Sequence, residues 1–156
     1  MQSFKLVGLP FEPFSRLFAL SDAELAVRNA RRVIATTKPG YPCRVSLADA
    51  DIGDELLLLP FEHQASSSPY KSSGPIFVRK SALPADLAAG VVPEYVRSRL
   101  ISIRAYDEAH LMTDAVVCEG AEVRTAIQTM FDRKEVAYIH LHNAKRGCYS
   151  CAVVRA

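Results

Sequence analysis

The sequence predicts an α+β fold, one mainly antiparallel, strongly twisted sheet of six to eight strands with two helices packed on it. Three observations lead there. The stretch Lys38–Lys80 holds the most apolar run of the chain and three strand-like segments, Cys43–Leu47, Glu55–Phe61 and Pro75–Arg79. Helical patterns of any length are confined to Asp22–Asn29 and Glu119–Asp132. The chain closes on a hairpin of two alternating segments around Asn143–Gly147.

Length and charge bound what such a fold can do. With 156 residues, 49% hydrophobic and 23% charged, a single domain over residues 1–156 can bury a sizeable core. Nineteen basic against 17 acidic side chains leave a formal charge of +2, so no overall field draws the protein to nucleic acid or to an anionic membrane, and neither is expected as a partner. The N-terminus MQSFKLVGLPFEPF has no apolar core of signal-peptide length. No run approaches the roughly 18 apolar residues of a membrane span. A cytoplasmic location is expected, with Cys43, Cys118, Cys148 and Cys151 kept as thiols.

Taken in order, Ser3–Leu9 is a short strand, and the prolines and phenylalanines of PFEPF suggest an extended segment packed on the core. Ser21 with Glu24 three residues on forms a capping box that starts the first helix, with Leu20 as its staple. Arg31–Thr36 is β-branched and uncapped, hence a strand, ended by the forced turn Lys38-Pro39-Gly40-Tyr41-Pro42. In Cys43–Leu47 the alternation turns Cys43, Val45 and Leu47 inward and Arg44 outward. Leu56–Leu59 is apolar on both faces and marks the sheet centre, with Pro60 as a bulge or strand end. The polar stretch Gln64–Gly74 is a mobile loop. Breakers at Pro84, Gly90 and Pro93 limit the next region to short helical turns, one starting at Pro93. Leu100–Tyr106 is a strand with Arg104 facing out, and Met112–Cys118 is another. Val123, Ile127 and Met130 then line the apolar face of the second helix. In the closing hairpin, Val136–His142 and Cys148–Val154, the favoured register pairs His142 with Cys148, His140 with Ser150 and Tyr138 with Ala152.

With PGYPCRVSL at Pro39–Leu47, GPIFVR at Gly74–Arg79 and NAKRGC at Asn143–Cys148, the chain resembles the bacterial domain-of-unknown-function family numbered 1203 over nearly its whole length. The resemblance implies a stand-alone bacterial protein of this size. It implies no activity, cofactor or catalytic residue, and none is carried over.

Candidate chemistry is therefore read from side-chain types. Arg44, Arg79 and Arg104 on polar strand faces, with Tyr70, Lys71 and Ser73 on the loop and the Gly74 N–H, could cradle a small anionic metabolite under a mobile lid. His63, at the mouth of that loop, and His142 with Cys148, a base and its nucleophile, are the groups to react if a reaction occurs. His140-x-His142 and Cys148-x-x-Cys151 hold zinc-type donors, but extended spacing points the two thiols to opposite faces, and no metal is assigned. No cofactor is named. The competing expectation is a non-catalytic interaction or self-association module, a homodimer for example, built on a strand edge or on Phe11, Phe14 and Phe18.

Overall fold

The computed structural model describes all residues from Met1 to Ala156. In chain order the elements are β1 (Phe4–Val7), α1 (Glu12–Ser15), a 3-10 turn (Arg16–Ala19), α2 (Asp22–Val27), β2 (Arg31–Ile34), β3 (Pro42–Cys43), β4 (Ala48–Asp49), β5 (Glu55–Gln64), β6 (Ser72–Arg79), α3 (Glu94–Arg97), β7 (Leu100–Tyr106), β8 (Met112–Glu119), a second 3-10 turn (Gly120–Glu122), α4 (Val123–Phe131), β9 (Tyr138–Asn143) and β10 (Tyr149–Arg155). No helix is long and apolar enough to cross a membrane.

The strands form two sheets, not one. The first has the order β1-β10-β9-β7-β8 and the second β2-β5-β6-β3-β4, five strands each. All pairings are antiparallel except that of β3 with β6. Each sheet has its own apolar cover. Ile101, Ile103 and Ala105 of β7, with Ile139 and Leu141 of β9, pack against Val123, Ile127, Met130 and Phe131 around α4. In the second sheet Leu57, Leu59, Ile76 and Val78 pack on Phe14 and Leu25 of the N-terminal helical segment. Alternation in the sequence gives each strand two faces, but it does not say which strands share a sheet, and so it merges the two sheets into one.

The capping box is present as expected: Ser21 Oγ accepts from Glu24 N at 3.2 Å and Glu24 Oε2 from Ser21 N at 2.7 Å. PFEPF departs from the extended form. Its second proline sits in the first turn of α1, where a missing N–H costs nothing, and this buries Phe14. Phe11 and Phe18 stack on each other at 6.0 Å and pack, partly buried, against the same core cluster.

The strand expected over Cys43–Leu47 ends at Cys43. Residues 44–47 turn instead, closed by Leu47 N donating to Cys43 O at 3.0 Å, with Leu47 at φ 51°. Strand parity does not apply there, and Arg44 points into the protein. β5 passes through Pro60, which lies opposite Pro75. Two facing prolines fit only a pair that exchanges no hydrogen bonds, so neither missing N–H costs a ladder bond.

The closing hairpin is shifted from the expected register. His142 faces Tyr149, Leu141 faces Cys151 and His140 faces Ala152, with a bulge between Tyr149 and Cys151. The bulge absorbs Ser150 and reverses parity at that point. Cys151 and Val153 stay on the apolar face, while Tyr149 crosses to the histidine face.

Candidate functional site

The site begins with the alternation of β7. Its apolar residues serve the core, so Ser102, Arg104 and Tyr106 occupy the opposite face, and antiparallel pairing sets His142, His140 and Tyr138 of β9 directly beside them. Beyond β9, the bulge adds Tyr149 to this face. Strand β2 pairs with β5 only as far as Leu58, and β5 continues over the first sheet, carrying Phe61, His63 and Gln64 onto the same wall. The ring of His63 stacks on Tyr149 at 5.3 Å and meets His142 edge-on at 5.0 Å, with His140 at 6.4 Å. Three histidines from two strands therefore surround one tyrosine.

Their protonation follows from burial. His142 and His140 are 1% and 7% exposed. Loss of water pushes His140 down to about 4 and His142 down to about 3, and it also lowers the half-buried His63. Arg104 adds repulsion at all three. No carboxylate offsets it at any of them. All three imidazoles are neutral at pH 7.

Several polar atoms on this wall have no partner. Buried His63 Nδ1, His140 Nδ1 and His142 Nε2 make no hydrogen bond. Arg104, half-buried, forms no ion pair, and its one side-chain hydrogen bond runs from Nε to Ser102 Oγ at 3.2 Å. A buried polar atom left unpaired costs about 1–3 kcal/mol, and three of the seven such side-chain atoms in the chain are ring nitrogens of this wall.

The loop after β5 roofs one end. Ser66 Oγ donates to Gln64 Oε1 at 2.8 Å, Gln64 Nε2 donates to Tyr138 Oη at 2.9 Å, and Ser68 Oγ donates to His110 O at 3.0 Å. Tyr70 rests edge-on against Tyr106 at 6.0 Å. The stretch expected to be mobile is thus tied to the rest of the protein by side-chain hydrogen bonds at two points, Gln64 and Ser68.

Of the residues singled out from the sequence, the structure brings together His63, His142, Arg104 and, through Tyr106, Tyr70. The three arginines do not share a face. Arg44 is buried with its Nε on Tyr149 O and its Nη1 on Pro42 O, and Arg79 lies in the second sheet opposite Leu56, near Asp51. Lys71 is exposed and makes no side-chain bond to this wall. Ser73 and Gly74 line a separate hollow of about 390 Å³ with Asn29 and Arg31. The larger hollow, about 620 Å³, is bordered by Asp107, Glu108, Lys134, Glu135 and Arg155. Neither holds an unpartnered buried side-chain atom, which sets the histidine wall apart from both. Cys148 Sγ contacts Arg146 O at 3.9 Å and is not bonded to His142, whose Nδ1 is on Gly147 O at 2.9 Å. The expected nucleophile–base pair is therefore not formed. No group of three or more His, Cys, Asp or Glu side chains is arranged to hold a metal ion.

The model of the family described as protein of unknown function (DUF1203) matches residues 40–155. The chain belongs to that family. No curated protein and no solved structure matches it. In this DUF1203 chain the matched span contains the whole histidine wall, from His63 to Tyr149. The NAKRGC segment gains a structural reason here: its Gly147 carbonyl orients His142. The PGYPCRVSL segment supplies Arg44, which holds the backbone of Tyr149.

Proposed function

We propose that this DUF1203 protein binds a small anionic ligand on the wall formed by Arg104, His63, His140 and His142, with Tyr70 on the roof. One observation carries the reading: a half-buried guanidinium without a carboxylate partner stands beside three neutral imidazoles that have unpartnered buried nitrogens. An anion would pair with the Arg104 fork, and imidazole N–H groups would complete its shell. Removal from water strengthens each of these bonds. Positive charge with no compensating carboxylate excludes a cationic ligand on the same grounds.

Half-buried His63 forms no side-chain hydrogen bond and is held by stacking alone, so its ring can yield to an incoming ligand. Titration calorimetry with phosphate, sulfate and small carboxylates tests the proposal. Binding is expected in the wild type and is expected to be lost in Arg104→Gln. Equal binding by both proteins would overturn it.

A further inference from the structure

The Nδ1 of His142 lies 2.9 Å from Gly147 O. A carbonyl can only accept, so Nδ1 carries the ring proton, and the neutral ring presents a bare lone pair at Nε2. That Nε2 is buried and unpartnered, next to the His63 ring and opposite Ser102 in register. Arg104 suits an acceptor, and no hydrogen bond fixes the tautomer of His63 or His140, so His142 Nε2 is the ring nitrogen of the wall whose role as an acceptor is set. Resting on the reading above, we propose that the anion is one that brings its own hydroxyl hydrogen, of the hydrogenphosphate type, and that His142 Nε2 accepts that O–H while Arg104 holds the remaining oxygens.

The step is a hydrogen bond, with no bond broken and no co-reactant required. A fully deprotonated oxyanion such as sulfate would set its lone pairs against that of Nε2. His142 could relieve the clash only by taking a proton from solvent. Burial already disfavours that proton, and Arg104, His63 and His140 add positive or potentially positive charge around it. Discrimination against an analogue that lacks the donor follows the general rule for sites with a committed polar partner.

The test compares inorganic phosphate with sulfate at pH 7 by titration calorimetry in the wild type, His142→Asn and Arg104→Gln. The asparagine side chain keeps an amide N–H for Gly147 O but brings no ring lone pair to the wall. Phosphate is expected to bind the wild type at least about tenfold more tightly than sulfate, with the preference lost in His142→Asn. Should that variant fail to fold, ring-nitrogen NMR of the wild-type phosphate complex decides: Nε2 of His142 is expected to be a bare nitrogen accepting a hydrogen bond. Equal affinity for the two anions in the wild type, a preference that survives in His142→Asn, or a protonated Nε2 in the complex would overturn the inference. If both anions bind alike and both are lost in Arg104→Gln, only the choice of ligand fails. If Arg104→Gln binds as the wild type does, or neither anion binds the wild type, the anion site fails with it.

Discussion

Arg44 Nε donates to the backbone carbonyl of Tyr149 at 2.8 Å, joining residues 105 positions apart and tying the second sheet to the bulge of β10. Its Nη1 also holds Pro42 O at 2.6 Å. A buried guanidinium used wholly on carbonyls is a structural clamp, and what it clamps is the tyrosine at the centre of the histidine wall. Arg44→Met would leave both carbonyls without this donor. The expected cost is about 3 kcal/mol in urea unfolding, with a shift in the tyrosine near-ultraviolet signal. A loss under about 0.5 kcal/mol would show that the clamp is dispensable.

Acid should unfold the protein through its histidines. In the unfolded chain each titrates near 6.5, whereas burial holds His140 at about 4 and His142 at about 3. The unfolded state then binds more protons below pH 6.5, so stability is full above that value and falls as pH drops towards the folded values. Between pH 6 and 4.5 the two rings together should contribute a slope of up to about 2.7 kcal/mol per pH unit. Urea midpoints across this window measure it, and His140→Asn should cut the slope roughly in half.

His63 is expected to matter for binding more than for stability. His63→Phe keeps a ring stacked on Tyr149 and removes both nitrogens. Phosphate affinity should fall by about fivefold or more, while unfolding free energy changes by less than about 1 kcal/mol. Unchanged affinity would remove His63 from the site.

Gly120 marks the entry to α4 and has no room for a side chain. A Cβ there would lie 2.2 Å from Val96 O and 2.5 Å from Arg97 O, backbone atoms that cannot step aside. Gly120→Ala should destabilise by about 2–4 kcal/mol in thermal or urea unfolding. A neutral result would mean that α3 and the turn before α4 can separate freely.

Much of the fold is legible in the sequence because local signals are strong. Ser21 and Glu24 mark the start of α2, and the alternation from Leu100 to Tyr106 yields β7 together with its two faces. The division into two sheets is not legible, because pairing β1 with β10 or running β5 past β2 depends on contacts far apart in sequence. Arg44 is misplaced by strand parity for a definite reason: Leu47 adopts a left-handed conformation that a β-type alternation hides. In the hairpin, a bulge at Ser150 puts Tyr149 on the face assigned to Tyr138, His140 and His142. His63 and Arg104 are recognisable as reactive types, but their meeting is not, since it requires the overshoot of β5 across the first sheet. The His-x-His spacing of residues 140 and 142 is the one visible sign of a shared face.

The most direct measurement is a histidine ring-nitrogen NMR titration with phosphate, favoured by a chain with only four histidines. His63, His140 and His142 should shift together with one affinity, and the shifts should vanish in Arg104→Gln. His110, held by Tyr138 at 2.8 Å on the exposed turn, should move little. Shifts confined to His110, or none at millimolar phosphate, would contradict an anion site on this wall.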